Sequence, residues 1–398
     1  MRTDTLAVRS GRDDLAGLGV HVPPIDLSTT YPFSDLDQAT ASYDSMAAGG
    51  APMGSAIYAR LHNPTVARFE EALAALEGAD EAVAFSSGMA TMTAVLLAVK
   101  ERGRHVVAVR PLYGGTDHLL QSGLLGHEVT YARPDGVAGA LRPDTAMVIM
   151  ETPGNPTLDL VDIAAVVRQA GGVPVLVDST FATPVLQQPI AEGATFVLHS
   201  ATKFLGGHGD VIAGVVATSS SWAVKVRQVR VITGALLHPL AGYLLHRGLQ
   251  TLPVRVRAQQ ASAQQIAERL LEHPNVTSVC YPGLPGADPL GLLGRQQLGP
   301  GSLLSFRVRG GHEGARRVLN ALRLVTRAVS LGSVDTLIEH PAGLTHRIVD
   351  PEAKTQSGIS EDLLRLSVGL EDPADLLADL SQALAAAVDS PTREMATA

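Results

Sequence analysis

The chain has little of what several protein classes depend on. One of its 398 residues is cysteine, Cys280, which excludes an intramolecular disulfide framework and a cysteine-built zinc site. Aromatic residues make up 4%, with Trp222 the single tryptophan, so the core has to be aliphatic. No apolar run approaches the roughly 20 residues of a membrane helix, and no membrane partner is expected. Positive charge is short: 31 Lys and Arg against 39 Asp and Glu give a net −8 without any basic block, which removes the electrostatic footprint of a nucleic-acid binder. Residues 1–14 hold acids and arginines but no apolar stretch, unlike a secretory signal, and we expect a cytoplasmic protein. The 13 histidines show no H-E-x-x-H or similar spacing, so no metal is expected. Lysine is rare as well, confined to Lys100, Lys203, Lys225 and Lys354.

What remains is 45% hydrophobic and 18% charged, enough apolar material for a sizeable core. Residues 1–55 show no steady periodicity and read as an irregular N-terminal arm contacting a neighbouring subunit. From Asn63 the pattern changes. Asn63-Pro64-Thr65 starts a helix in which Val66, Phe69, Leu73 and Leu76 recur at helical spacing up to Gly78. Short apolar runs without alternation follow at 82–85, 105–109, 147–150, 173–177, 196–198 and 212–217, with helical stretches such as 160–170 between them. Such runs predict a mostly parallel sheet covered on both faces, an α/β domain over 56–245. Beyond it, 258–272 reads as a polar-faced helix and 302–308 alternates like an antiparallel strand. Residues 373–388 read as an amphipathic helix capped by Asp372, with Pro373 at its first position. This predicts a smaller α+β domain over 246–398.

In open α/β sheets ligands bind beyond the carboxyl ends of the strands. After the first run come Ser86-Ser87-Gly88-Met89, which at a helix start offer N–H groups to a phosphate, or form an ordinary capped turn. Ser200 and Thr202 add hydroxyls, or are turn residues. Asp178 ends an apolar run, where its carboxylate needs a cationic partner such as a protonated pyridine nitrogen, or caps a turn. Lys203 lies between Ser200-Ala201-Thr202 and Phe204-Leu205-Gly206-Gly207, off any polar helix face. There it is either a poorly placed surface residue or an amine kept for Schiff-base chemistry. Phosphate cradle, buried Asp and such a lysine together specify pyridoxal 5′-phosphate (PLP).

Longer strings carry a resemblance. They are 58–65 (Tyr-Ala-Arg-Leu-His-Asn-Pro-Thr), 85–90 (Phe-Ser-Ser-Gly-Met-Ala), 112–116 (Leu-Tyr-Gly-Gly-Thr), 177–184 (Val-Asp-Ser-Thr-Phe-Ala-Thr-Pro), 199–203 (His-Ser-Ala-Thr-Lys) and 364–371 (Leu-Arg-Leu-Ser-Val-Gly-Leu-Glu). From about Pro24 to residue 388 the chain resembles the PLP-dependent Cys/Met metabolism (trans-sulfuration) family. That implies fold type I, like aspartate aminotransferase: a large parallel-rich sheet domain plus a smaller C-terminal domain. By this similarity Lys203 carries the cofactor as a Schiff base and shuttles protons, and Asp178 holds the pyridine N–H. Gly88, Met89, Ser200 and Thr202 bind the phosphate, while Tyr58 and Arg60 reach the phosphate of a neighbouring subunit in a homotetramer, a dimer of dimers. Tyr113 stacks on the ring and acts as acid or base, with the cationic Schiff base and Arg60 nearby favouring its phenolate. Asn155 meets the cofactor and the substrate carboxylate, and Arg365 grips that carboxylate with help from Ser330.

The resemblance also bears on the substrate. Family members that handle cystathionine usually have Glu where Val329 precedes Ser330-Leu331-Gly332, and often Arg where His118 stands; an apolar Val329 suits an uncharged thioether. Methionine γ-lyases typically have Cys where this chain has Gly115, a glycine shared with γ-synthases and cystathionine lyases. His238 stands where Ser is common and is expected to alter the pocket wall. The expectation is γ-elimination from methionine, homocysteine or cystathionine, giving 2-oxobutanoate, ammonia and a thiol. The alternatives are γ-replacement, as in cystathionine γ-synthase, or a specialised-metabolism enzyme of another γ-substituted amino acid.

Overall fold

The computed structural model describes residues 1–387, so Val388, the expected end of the terminal helix, lies outside the described residues. Seven strands form the large sheet: β1 (Glu81–Phe85), β2 (His105–Val109), β3 (Glu128–Ala132), β4 (Thr145–Glu151), β5 (Val175–Asp178), β6 (Phe196–His199) and β7 (Gly214–Thr218). Their order is β1-β7-β6-β5-β4-β2-β3. Only β7 runs against its neighbours. The unalternating runs have a direct cause, because successive side chains enter two different apolar layers. Val83, Phe85, Val106 and Ala108 pack on one side, and Ala82, Ala84, Val107 and Val109 on the other. The edge strand β3 escapes a search for such runs because its outer position leaves its residues partly exposed. The 212–217 run starts late: Ile212 is 71% exposed and pairing begins at Gly214.

Gly214 is where backbones meet. A Cβ there would stand 2.3 Å from Ser87 O and 2.5 Å from Gly88 N, so only glycine lets β7 lie against the start of helix Gly88–Ala98.

Helix Pro64–Glu77 forms as its sequence suggests. The Asn63 side chain accepts from Thr65 N and Val66 N, Pro64 opens the helix, and Gly78 closes it in the left-handed conformation. Residues 1–55 are less irregular than expected, containing helices Thr3–Arg9 and Leu36–Ala47. The first is tied to its own chain by Asp4, which accepts from Arg257 at 2.7 and 2.8 Å. The polar helix expected at 258–272 is the end of a 33-residue helix, Pro239–Leu271, which runs through the 245/246 border. His238 caps it, its Nδ1 accepting from Leu240 N.

The smaller sheet holds β8 (Val276–Cys280), β9 (Leu303–Val308), β10 (Thr326–Arg327), β11 (Leu337–Glu339) and β12 (Leu363–Ser367) in the order β10-β11-β12-β9-β8. β9 is antiparallel to both neighbours, as expected, but buried along nearly all its length. Helix Pro373–Leu384 follows, with the Asp372 carboxylate accepting from Ala374 N.

Candidate active site

A cavity of about 460 Å³ opens at the carboxyl ends of the parallel strands, against the small sheet. Most of the expected residues line it: Gly88, Met89, Tyr113, Asn155, Asp178, Ser200, Thr202, Lys203, Val329, Ser330 and Arg365. Tyr58 and Arg60 do not. In this chain Arg60 donates to Val231 O at 2.7 Å, its guanidinium 5.7 Å from the centre of the exposed Tyr58 ring. Arg60 is therefore no neighbour of Tyr113 within one chain. His118 and His238 are exposed and outside the lining of this chain's own cavity.

Asp178 ends β5 and accepts from Thr180 N at 3.1 Å and from the Thr180 hydroxyl at 2.5 Å. Burial pushes its carboxyl up, and the two Thr180 donors pull it back toward the charged form. Lys203 follows β6. Its Nζ donates to Ser330 Oγ at 2.7 Å, and burial, then the Arg365 charge, lower its pKa to about 8. Ser330 has φ 94°, a conformation non-glycine residues rarely hold, and its carbonyl accepts from Arg365 Nη2 at 3.0 Å.

Arg365 is buried in β12. It donates to Asn155 Oδ1 at 2.8 Å and pairs with Glu339 Oε1 at 2.6 Å, its register partner on β11. Glu339 Oε2 is buried with no partner among the described residues. Tyr113 precedes helix Gly114–Gln121, and burial, then Glu339, push its phenol up. Within one chain, where Arg60 is no neighbour, that favours the protonated form.

At the other end, Gly88 and Met89 open helix Gly88–Ala98, whose first N–H groups have no helical partner. A Cβ on Gly88 would stand 3.1 Å from Ser200 Cβ, a cradle closed by anything larger than glycine. Thr202 lines the cavity with its hydroxyl already engaged: it donates to Ala213 O and accepts from Ala213 N. A helix N-terminus, a buried carboxyl and a lysine of lowered pKa in one cavity fit PLP.

Sequence reasoning assigned no role to Glu151, Thr180, Glu339, Leu344 and Thr345. Glu151 ends an apolar run as Asp178 does, so the signal that found one carboxyl was present for the other. Among the described residues His312, His340 and Glu361 also cluster. However, His340 Nδ1 accepts from Gly343 N, which puts its proton on Nε2, facing Glu361 O at 2.8 Å.

Comparison with known proteins agrees with this geometry. Residues 4–385 match the family described as Cys/Met metabolism PLP-dependent enzyme. An L-methionine γ-lyase of Brevibacterium sandarakinum is 58% identical over 387 residues, covering 96% of this chain and 98% of the relative. Among solved structures, cystathionine γ-lyase CalE6 from Micromonospora echinospora is 43% identical with a TM-score of 0.87, over 97% of this chain and 99% of that one. Cystathionine γ-synthase from Xanthomonas oryzae pv. oryzae is 36% identical with a TM-score of 0.89, over 97% and 98%. The chain belongs to the family of Cys/Met metabolism PLP-dependent enzymes.

Proposed function

We propose that the protein is an L-methionine γ-lyase, a carbon–sulfur lyase that takes methionine and water to 2-oxobutanoate, ammonia and methanethiol. The observation that carries this reading is the outer cavity wall, where Val329 and Leu344 present apolar, half-exposed side chains to the substrate's distal end. An uncharged thioether fits there, and a distal ammonium group finds no acid on that wall. The Brevibacterium relative's activity supports the same choice.

Bound PLP supplies an electron sink for charge developing at the substrate's Cα. Asp178 is placed to hold the ring nitrogen's proton, and Gly88, Met89 and Ser200 to take the phosphate. With a pKa of about 8, Lys203 is a free amine in a usable fraction near neutral pH, so it serves as nucleophile and proton carrier. Ser330 Oγ gives the released amine a resting partner. Arg365 binds the substrate carboxylate with its orientation fixed by Glu339 and Asn155. Tyr113, kept as a phenol, protonates the departing sulfur.

The assembly we propose is a homotetramer in the cytoplasm, in which Tyr58 and Arg60 serve a neighbour's cavity. Supporting it are their position outside this chain's own cavity and the exposed apolar side chains Leu18, Val20, Val22, Leu27 and Phe33. No helix among the described residues is long and apolar enough to cross a membrane.

Gly115 favours a second reading, γ-elimination from cystathionine or the γ-replacement that forms it, since the chain lacks the cysteine typical of methionine γ-lyases. The deciding measurement is 2-oxobutanoate release by the PLP-loaded protein from L-methionine, L-homocysteine and L-cystathionine, each alone. Release chiefly from methionine is expected; release chiefly from cystathionine establishes the lyase form of the second reading, and silence on all three points to its γ-replacement form or to another γ-substituted amino acid.

A further inference from the structure

Glu151 is the last residue of β4 and the register partner of Asp178, the last residue of β5. Register partners on neighbouring parallel strands are about 5 Å apart and put their side chains on one face. Both residues line the cavity, so the sheet sets two carboxyls side by side at its floor. Two like charges so close in a buried site do not both persist without a cation for each. His199 at the end of β6 acts on Asp178 and not on Glu151, and the two cations that line the cavity are engaged elsewhere. Arg365 donates to Asn155, Ser330 and Glu339, and Lys203 to Ser330.

The two carboxyls differ in what holds them. Asp178 takes a side-chain hydroxyl and a backbone N–H from Thr180. Glu151 Oε2 accepts the backbone N–H of Tyr113 at 2.6 Å, and the N–H of Asn155 also faces it. The charged or titratable groups facing Glu151 are Asp178 on β5, Arg365 on β12 and Tyr113 after β2. Burial and the Asp178 charge press Glu151 toward its neutral form, against the two N–H groups and Arg365.

We propose that Glu151 is a positioning residue of the active site, which as an uncharged acid ties Tyr113 after β2 to the Asn155 loop after β4. Oε2 takes the N–H of Tyr113 while the proton sits on the other oxygen. The arrangement reserves the single negative charge on the floor for Asp178, beneath the cofactor's ring nitrogen, and spares Tyr113 an adjacent anion. This rests on the PLP site described above and not on methionine being the substrate.

The test is capture of PLP by the apoenzyme, read as cofactor half-saturation and as the circular dichroism induced in the bound cofactor, with no amino acid present. Gln is the neutral isostere of a protonated Glu, able both to accept from Tyr113 N and to donate. Glu151→Gln is expected to stay within about threefold of wild type, and Glu151→Ala to weaken capture about tenfold or more and diminish the induced signal, as loss of a buried hydrogen-bond partner implies. Loss in Glu151→Gln as deep as in Glu151→Ala would show that the anion is required and overturn the proposal. Wild-type behaviour of Glu151→Ala would overturn it too. If Glu151→Ala does not fold, wild type against Glu151→Gln decides alone, parity supporting the proposal and a tenfold loss refuting it. A protein that captures PLP yet leaves methionine untouched fails the substrate reading and still answers this question.

Discussion

The two sheets build one cavity and contribute different things to it. From the large sheet come residues that end or directly follow strands: Glu151 on β4, Asp178 on β5, Ser200 and Lys203 after β6. Parallel pairing fixes their spacing, and the apolar layers on both faces leave them little freedom. From the small-sheet side come Arg365 on β12, held by Glu339 on β11, and Val329, Ser330 and Leu344 from connecting segments. One wall is rigid and carries groups any PLP reaction needs. The other sets buried Arg365, for the carboxylate every amino acid carries, beside partly exposed loop residues that meet the parts of the substrate that differ between amino acids. Chemistry is placed on the register, selection on the loops.

The comparison breaks first if the rigid wall is dispensable. Lys203→Ala is expected to lower turnover about 10⁴-fold or more and to abolish the visible absorbance of lysine-bound cofactor, because nucleophile and proton carrier go together. A coloured, active variant would remove the lysine from the reaction.

Arg365→Ala is the next largest. Removing a buried, hydrogen-bonded cation from its carboxylate partner is expected to lower kcat/KM by about 10²–10³. It also strands Glu339, so the double variant Arg365→Ala/Glu339→Gln separates lost substrate binding from a buried unpaired charge. The same variant links the two walls. Arg365 is the second cause, after burial, that depresses Lys203 to about 8, so without it the lysine holds its proton to higher pH. The pH midpoint for cofactor capture by the apoenzyme should move upward; an unmoved midpoint would leave burial as the whole cause.

Legibility in the sequence follows the same division. Asp178 and Lys203 were visible because a charge among apolar and glycine residues is hard to explain otherwise. The helix opened by Asn63 and Pro64 was visible because its cap is local. Glu339 was not, since its role comes from an antiparallel register with a strand far along the chain. Nor could the sequence show that Ala213 engages both functions of the Thr202 hydroxyl, or that Arg60 turns to Val231 O. β3 was missed because an edge strand need not be apolar on both faces. Most of the 33-residue helix Pro239–Leu271 was missed because Pro253 interrupts its pattern. What local chemistry fixes can be read from the sequence, and what distant pairing fixes cannot.

Gly115→Ala tests the seam between the walls. A Cβ at position 115 would stand 2.5 Å from Tyr113 Cε1, so the ring must move to admit it. Displacing this half-exposed ring from its place is expected to appear as roughly a tenfold fall in kcat with little change in cofactor capture, since Tyr113 moves while Asp178 and Lys203 do not. A fall in capture as large as the fall in kcat would show that Tyr113 belongs with the rigid wall.

Val329→Glu asks whether the loop wall selects by charge, and its effect is expected to be the smallest. Val329 is 52% exposed, so a carboxylate there stays largely hydrated and screened. An exposed ion pair contributes about 0.2–1 kcal/mol, which limits the gain for a distal ammonium group to about fivefold. The ratio of kcat/KM for cystathionine to that for methionine should rise by up to that factor, less so as salt is added, because the attraction is screened. Cofactor half-saturation should stay close to wild type, since Val329 holds none of the groups placed for the ring or the phosphate. A ratio that does not rise, or a shift that ignores salt, would mean that Val329 excludes cystathionine by shape rather than by missing charge. Selection would then lie in the contour of the Val329–Leu344 wall.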